Sequence, residues 1–340
     1  MQEIIDAVQR NCDVADARYA GDDTLCIYLM KMRDLFRWAV DVPLGQVADR
    51  KILGNWIVEK EALWDELEEQ EFVPIIINGQ EFDPFDNDGI NDILTEKGYV
   101  YSGGLGRRAR PIYFLGKLVE TEATENAKIW VSGTELARCI TAPPAMSQGR
   151  SIYIRKDALK RYLGSMVEEW SWKKREGVMG EAVSHYDFDS DFYRALDEMV
   201  ENEKENLILH EIGEQIAGEL IGEGWQEMVA SLEDPIQEMK ARAVRDNLAD
   251  CATTLPAFLT LKDQASIDFY YANMTALRKK LFPSFCSAYE DAHEQRDLKG
   301  MVNVINGGRR HWLSVGKKLV GSYERGEMEA IEHYLEHSDF

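Results

Sequence analysis

A chain of 340 residues, 45% hydrophobic and 29% charged, has the length of two ordinary domains and the balance of a folded protein, which excludes a disordered chain. Its 61 acidic residues outnumber 39 basic ones for a net charge of −22. That surplus opposes general binding to nucleic acid or to an anionic membrane and leaves a protein partner or a second copy of the chain as the expected company. Cys12, Cys26, Cys139, Cys251 and Cys286 are odd in number and show no CxxC spacing, as in a reduced cytoplasmic protein with buried thiols rather than a disulfide scaffold or zinc finger.

The start, MQEIIDAVQRN, lacks the basic and apolar regions of a signal peptide, and no apolar run reaches the roughly 18 residues of a membrane span. Thr24 to Val40 is strongly apolar and predicts a mostly buried helix, with Lys31, Arg33 and Arg37 reaching out to water. Pro43 and Gly45 end it. Arg50 to Gln70 repeats apolar residues at helical spacing opposite a charged face, an amphipathic helix. Phe72 to Ile77, bounded by Asn78-Gly79, predicts a strand and a turn. Further strands are expected at Tyr99–Ser102, Ile112–Val119, Ala127–Ser132 and Ser151–Arg155. Ser132 and Glu135 form a capping-box pair that predicts a short helix between the last two. Asp157 to Glu176 returns to helix.

Gly177 to Asp191 loses periodicity and marks the expected domain boundary. From Phe192 every segment predicts helix, with breaks at Asp234-Pro235, Pro256, Pro283 and Gly307-Gly308. The expected fold class is α+β: a mixed α/β domain over 1–180 with a small antiparallel sheet, then an all-α helical bundle over 181–340. The pieces KMRDLFRW, GNWIVEKEALW, ELARCITAPPAM and HEIGEQIAGELIG resemble an uncharacterised family of bacterial proteins. The resemblance spans the whole chain, with the same division into a mixed and a helical part. It implies a bacterial cytoplasmic protein and carries no mechanism.

The first candidate site lies in HEIGEQ. His210 and Glu214 stand four apart on one helix face, close enough to share a metal ion, with Glu211 turned away by about 100° per residue. In the zinc-protease pattern HExxH the second ligand is His; here Glu214 stands in its place. Oxygen-rich ligation suits iron or another divalent metal such as manganese better. A second arm is Glu290-x-x-His293, the spacing that ferritin-like di-iron bundles use twice. The competing reading of both is an ordinary set of salt bridges. Asp246 and Asp250 lie four apart beside Arg242 and Arg245, as a carboxylate pair for metal or acid–base work, or as partners of those arginines.

Asp83 to Gly89, aligned on the glycine of a calcium loop, puts Pro84 and Thr95 where ligands belong, so it predicts an Asp-rich turn. Gly103 to Arg110 joins glycines to arginines but precedes a strand, so a hairpin turn outweighs a phosphate loop. Gly307 to His311, GGRRH, has the look of a basic helix cap. No GxSxG elbow is present. Two functional readings follow: a metal-dependent enzyme, non-haem iron or di-iron-like, with ligands His210, Glu214, Glu290 and His293; and a non-catalytic interaction or assembly protein that uses its acidic surface.

Overall fold

The helix that opens the chain, α1 (Gln2–Tyr19), organises the N-terminal half, although the sequence pattern offered no expectation there. In the computed structural model, residues 1–340 are described apart from 47, 107–108, 125–126, 174–176, 262 and 296, with only the backbone of 172 and 173. Contacts divide the chain into two units, Met1–Glu169 and Trp170–Phe340.

In the first unit α1 buries Ile4, Val8, Cys12 and Ala15, one stripe of the helix, against Tyr113, Leu115 and Ala137. Its polar side chains complete the fit. The Gln9 amide accepts from the Arg138 N–H and donates to the Arg138 carbonyl, and Asn11 does the same with Val73. Next come α2 (Leu25–Ala39) and α3 (Arg50–Leu67). The hairpin of β1 (Ile75–Ile77) and β2 (Gln80–Phe82) turns through Asn78 and Gly79, both at positive φ (55° and 83°), as their dipeptide demands.

The main sheet runs in the order β3 (Tyr99–Leu105), β4 (Pro111–Ala123), β5 (Lys128–Arg138), β7 (Ser151–Arg155), β6 (Ala145–Gln148). It is mixed, not purely antiparallel, because β5 and β7 pair in parallel while the short β6 folds back onto the outer edge of β7. The helix α4 (Asn87–Leu94) closes the β3 edge in an unusual way. Asn87 exchanges two hydrogen bonds with the Gly103 backbone and Asn91 two with Tyr101. Four helical residues rise about 6.0 Å and two strand residues about 6.7 Å, so the asparagines meet every second strand residue. The edge is thereby blunted against pairing with another chain. The strand β7 leads directly into α5 (Lys156–Lys173).

Two local expectations fail here. Ser132 and Glu135 lie within β5, not at a helix start. The run Ile129-Trp130-Val131 pairs with both β4 and β7, and that two-sided ladder outweighs a local capping signal. The helix α2 is also less buried than its composition predicts: Leu25 is 70% and Met30 59% exposed. Arg37 does not reach out to water. It is buried, with both terminal nitrogens 3.2 Å from Glu168.

The second unit contains α6 (Val178–Ser184), α7 (Phe192–Ile221), α8 (Trp225–Ser231), α9 (Pro235–Ala252), α10 (Thr254–Leu261), α11 (Gln264–Asn273), α12 (Ala276–Leu281), α13 (Pro283–Gln295), α14 (Met301–Glu324) and α15 (Met328–Glu336). Asp234 caps α9 through the Ile236 N–H, with Pro235 in the first turn, as the sequence predicts. Gly307-Gly308 does not break a helix; it lies within α14. A Cβ on Gly308 would stand 2.6 Å from Phe282 and 3.1 Å from the Cys251 sulfur, so the glycine serves close packing beside the buried Trp312. The expected basic cap at Gly307–His311 is mid-helix for the same reason. Among the described residues no helix is long and apolar enough to cross a membrane.

Candidate functional site

The helices α7 and α9 pack closely because Gly213 has no side chain. A Cβ there would lie 2.4 Å from the Thr253 hydroxyl and 2.6 Å from the Ala249 carbonyl oxygen. The Thr253 hydroxyl donates to the Leu209 carbonyl across the same crossing at 2.6 Å. Gly213→Ala is therefore expected to lower stability by about 1–3 kcal/mol, the usual cost of overpacking. Urea unfolding followed by circular dichroism checks this; an unchanged midpoint would show that the crossing has slack.

This close approach sets His210 and Glu214 of α7 against Asp246 and Asp250 of α9. His210 Nδ1 lies 2.6 Å from Asp250 and Nε2 3.5 Å from Glu214. Asp250 is 1% exposed and also accepts from the Tyr270 hydroxyl at 2.8 Å and from Arg278 at 2.5 Å. Arg245 donates to Glu214 at 2.7 Å and lies 3.7 Å from Asp246. Arg242 pairs with Glu238 instead. So of the two arginines expected to hold the Asp pair, one approaches Asp246, and Asp250 is held by Arg278 from α12.

These contacts decide the charge states. Burial pulls the His210 imidazolium toward deprotonation, but Asp250 and Glu214 more than offset it, so its pKa rises well above the ordinary value. Burial works against the Glu214 carboxylate too, yet His210 and Arg245 bring it down to about 2. Asp250 is likewise lowered, burial being outweighed by His210 and Arg278. Asp246 moves the other way, raised by burial and by the Glu214 charge.

One ligand atom each from His210, Glu214 and Asp246 falls within a common 4.8 Å. Metal–ligand bonds of about 2.1 Å put neighbouring ligand atoms of a tetrahedron about 3.4 Å apart, close to the 3.5 Å between His210 Nε2 and Glu214. The three side chains remain 20–28% exposed, which leaves a path for an ion. The group does not extend to Glu290 or His293. Glu290 accepts from the Tyr271 hydroxyl at 2.9 Å. His293 pairs with Glu181 at 3.1 Å and Asp268 at 3.7 Å, and Asp268 also holds His185 and the Tyr289 hydroxyl. The third member of the group is Asp246, whose spacing from Asp250 is visible in the sequence but whose position against His210 depends on the α7–α9 crossing.

The remaining candidates resolve simply. Asp86 caps α4 through the Gly89 N–H, so Asp83–Gly89 is a turn and helix start. Of the arginines after Gly103, Arg107 and Arg108 lie outside the described residues, and Arg110 pairs with Asp22 at 3.0 Å. All five cysteines are free; Cys12, Cys139 and Cys251 are buried, Cys286 is half-buried and Cys26 is exposed.

The model for "Family of unknown function (DUF6866) N-terminal domain" matches residues 3–155, and that for the family's C-terminal domain matches residues 160–338. No curated protein and no solved structure matches the chain. Matched over nearly its whole length by the two domains in order, the chain belongs to this family of unknown function.

Proposed function

We propose that the C-terminal unit binds one divalent transition-metal ion through His210, Glu214 and Asp246, and that the protein is a metal-dependent enzyme centred there. The observation that carries this is the division of labour on His210. Its Nδ1 is held by a buried carboxylate, Asp250, while Nε2 lies 3.5 Å from Glu214, and Asp246 joins the two in one three-residue group. Metal-ligating histidines are oriented in this way, the second nitrogen fixed by a carboxylate that sets the tautomer and strengthens the ligand. Asp250 is itself fixed by Tyr270 and Arg278. One imidazole with two carboxylates favours iron or manganese and leaves coordination positions for water and substrate. The ion would have to displace the Arg245 guanidinium from Glu214. A single ion fits the three-residue group better than the two ions of a di-iron centre, for which Glu290 and His293 would have to join it. Five free cysteines support a reducing compartment, the cytoplasm.

Elemental analysis of protein reconstituted with iron(II), manganese(II) or zinc(II) and then desalted tests the assignment. One ion per chain is expected, lost in His210→Ala and kept in Glu290→Ala. Protein that stays metal-free with all three, or a folded His210→Ala variant that binds as well as the wild type, would overturn it and leave a closed salt-bridge network.

A further inference from the structure

Arg245 pairs with two carboxylates, and they are the same two that the candidate metal site would take. Its Nη2 donates to Glu214 Oε1 at 2.7 Å and stands 3.7 Å from Asp246. Among the described residues it has no third ion pair; Arg242, on the same helix, is taken by Glu238. Resting on the metal reading above, we propose that the substrate is a small organic acid with a second oxygen on the carbon next to its carboxylate, held between the ion and Arg245.

Charge balance provides the first argument. One atom, Glu214 Oε1, faces both His210 Nε2 at 3.5 Å and the Arg245 guanidinium, so an ion and the guanidinium compete for it. With a divalent ion in place, the charges of Glu214 and Asp246 answer the ion, and a ligating imidazole is neutral. Arg278 is already answered by Asp250. Arg245 is then left as a positive charge without a counter-charge. Its Nε is also buried with no hydrogen-bond partner. A guanidinium so placed pairs best with a carboxylate, through two parallel N–H···O bonds.

Access and coordination provide the second. The Arg245 side chain is 22% exposed, beside Glu214 at 20% and Asp246 at 28%, so a solute reaches all three. Manganese and non-haem iron sites are commonly octahedral, and His210, Glu214 and Asp246 would fill half of the positions. A carboxylate with a neighbouring hydroxyl or carbonyl oxygen fills two more as one chelate ring and leaves a place for water. The net charge of −22 repels anions at long range. An anion held by Arg245 alone therefore gains little, whereas one that also ligates the ion gains both attractions.

Titration of the full chain with manganese(II), the free ion read by its electron paramagnetic resonance signal, tests this with sodium glycolate and with its uncharged analogue glycolamide. Saturating glycolate is expected to tighten manganese binding about tenfold or more, as coupled sites do, and glycolamide to leave it unchanged. In Arg245→Gln manganese alone is expected to bind at least as tightly as in the wild type, because the competing guanidinium is gone, and the glycolate effect is lost. Equal manganese binding with glycolate and glycolamide would overturn the inference, and this wild-type comparison stands even where the variant fails to fold. A folded Arg245→Gln variant that keeps the full glycolate effect would overturn it too. So would a chain that binds no manganese with or without glycolate; the elemental analysis above, run with three metals, shows separately whether the metal reading has failed with it.

Discussion

Glu203→Gln is expected to be more stable than the wild type at pH 8, by about 3–5 kcal/mol, and equal to it near pH 4, at about 1.4 kcal/mol per unit of pKa difference. Glu203 is 6% exposed on α7. Asn206 donates to one of its oxygens at 3.1 Å and Ser266 approaches the other at 3.5 Å. Burial raises its pKa to about 8, Asp263 adds to the rise, and the two hydrogen bonds only partly oppose it. Below the ordinary value of 4.5 the group is protonated in both folded and unfolded chains, so it adds no pH dependence. Between there and about pH 8 the unfolded chain releases the proton and the folded one keeps it, so rising pH favours unfolding. Above about pH 8 the loss is complete. Glutamine keeps the oxygen that accepts from Asn206 and removes the ionisation. Urea unfolding of both proteins at a series of pH values gives the difference directly; two parallel stability curves would show that Glu203 is ionised in the folded protein at neutral pH.

Asp250→Ala is expected to destabilise by about 3–5 kcal/mol, because removing one partner of a buried ion pair strands the other. Here a single carboxylate answers two cations, His210 and Arg278, and the Tyr270 hydroxyl. Tyr270 and Arg278 are held against each other as well, 2.8 Å apart, so the loss strands Arg278 and the Nδ1 side of His210, with Glu214 left facing Nε2. The measurement is best made with a chelator present, so that metal linkage contributes nothing. Glu238→Ala is the comparison: its pair with Arg242 is 2.8 Å long but one-fifth to one-third exposed, and its removal is expected to cost less than about 1 kcal/mol. A loss for Asp250→Ala no larger than that of Glu238→Ala would show that the network is solvated and does not fasten α9 to α7 and α12.

The α+β division, with a sheet in the first part and helices in the second, was legible because periodicities of two and of 3.6 residues dominate different stretches of the chain. The failures have a common cause. Gly307-Gly308 looks like a break and proves to be a packing surface for Phe282 and Phe340; glycine in a helix reads the same in sequence whether the neighbour is water or a ring. Ser132 and Glu135 carry a correct local capping signal, but β4 pairs with both of them and β7 with Ser132 on the other side. The candidate site divides likewise. His210–Glu214 and Asp246–Asp250 are both visible as helical pairs. That they face each other follows from Gly213 and Thr253, whose role exists only where the two helices cross.

The attachment of α1 has a consequence during synthesis. Its partners lie far along the chain: Cys12 bonds to Tyr113, Asp16 to Ile140 and Gln9 to Arg138, across 101, 124 and 129 residues. At the ribosome's pace of about 5–20 residues per second, roughly 6–25 s separate the appearance of α1 from that of its docking strand. For that interval the stripe of Ile4, Val8 and Cys12 lacks its cover of Tyr113, Leu115 and Ala137. Helix α1 therefore emerges well before the strands that bury it, and in that interval a holding chaperone would have the opportunity to bind it.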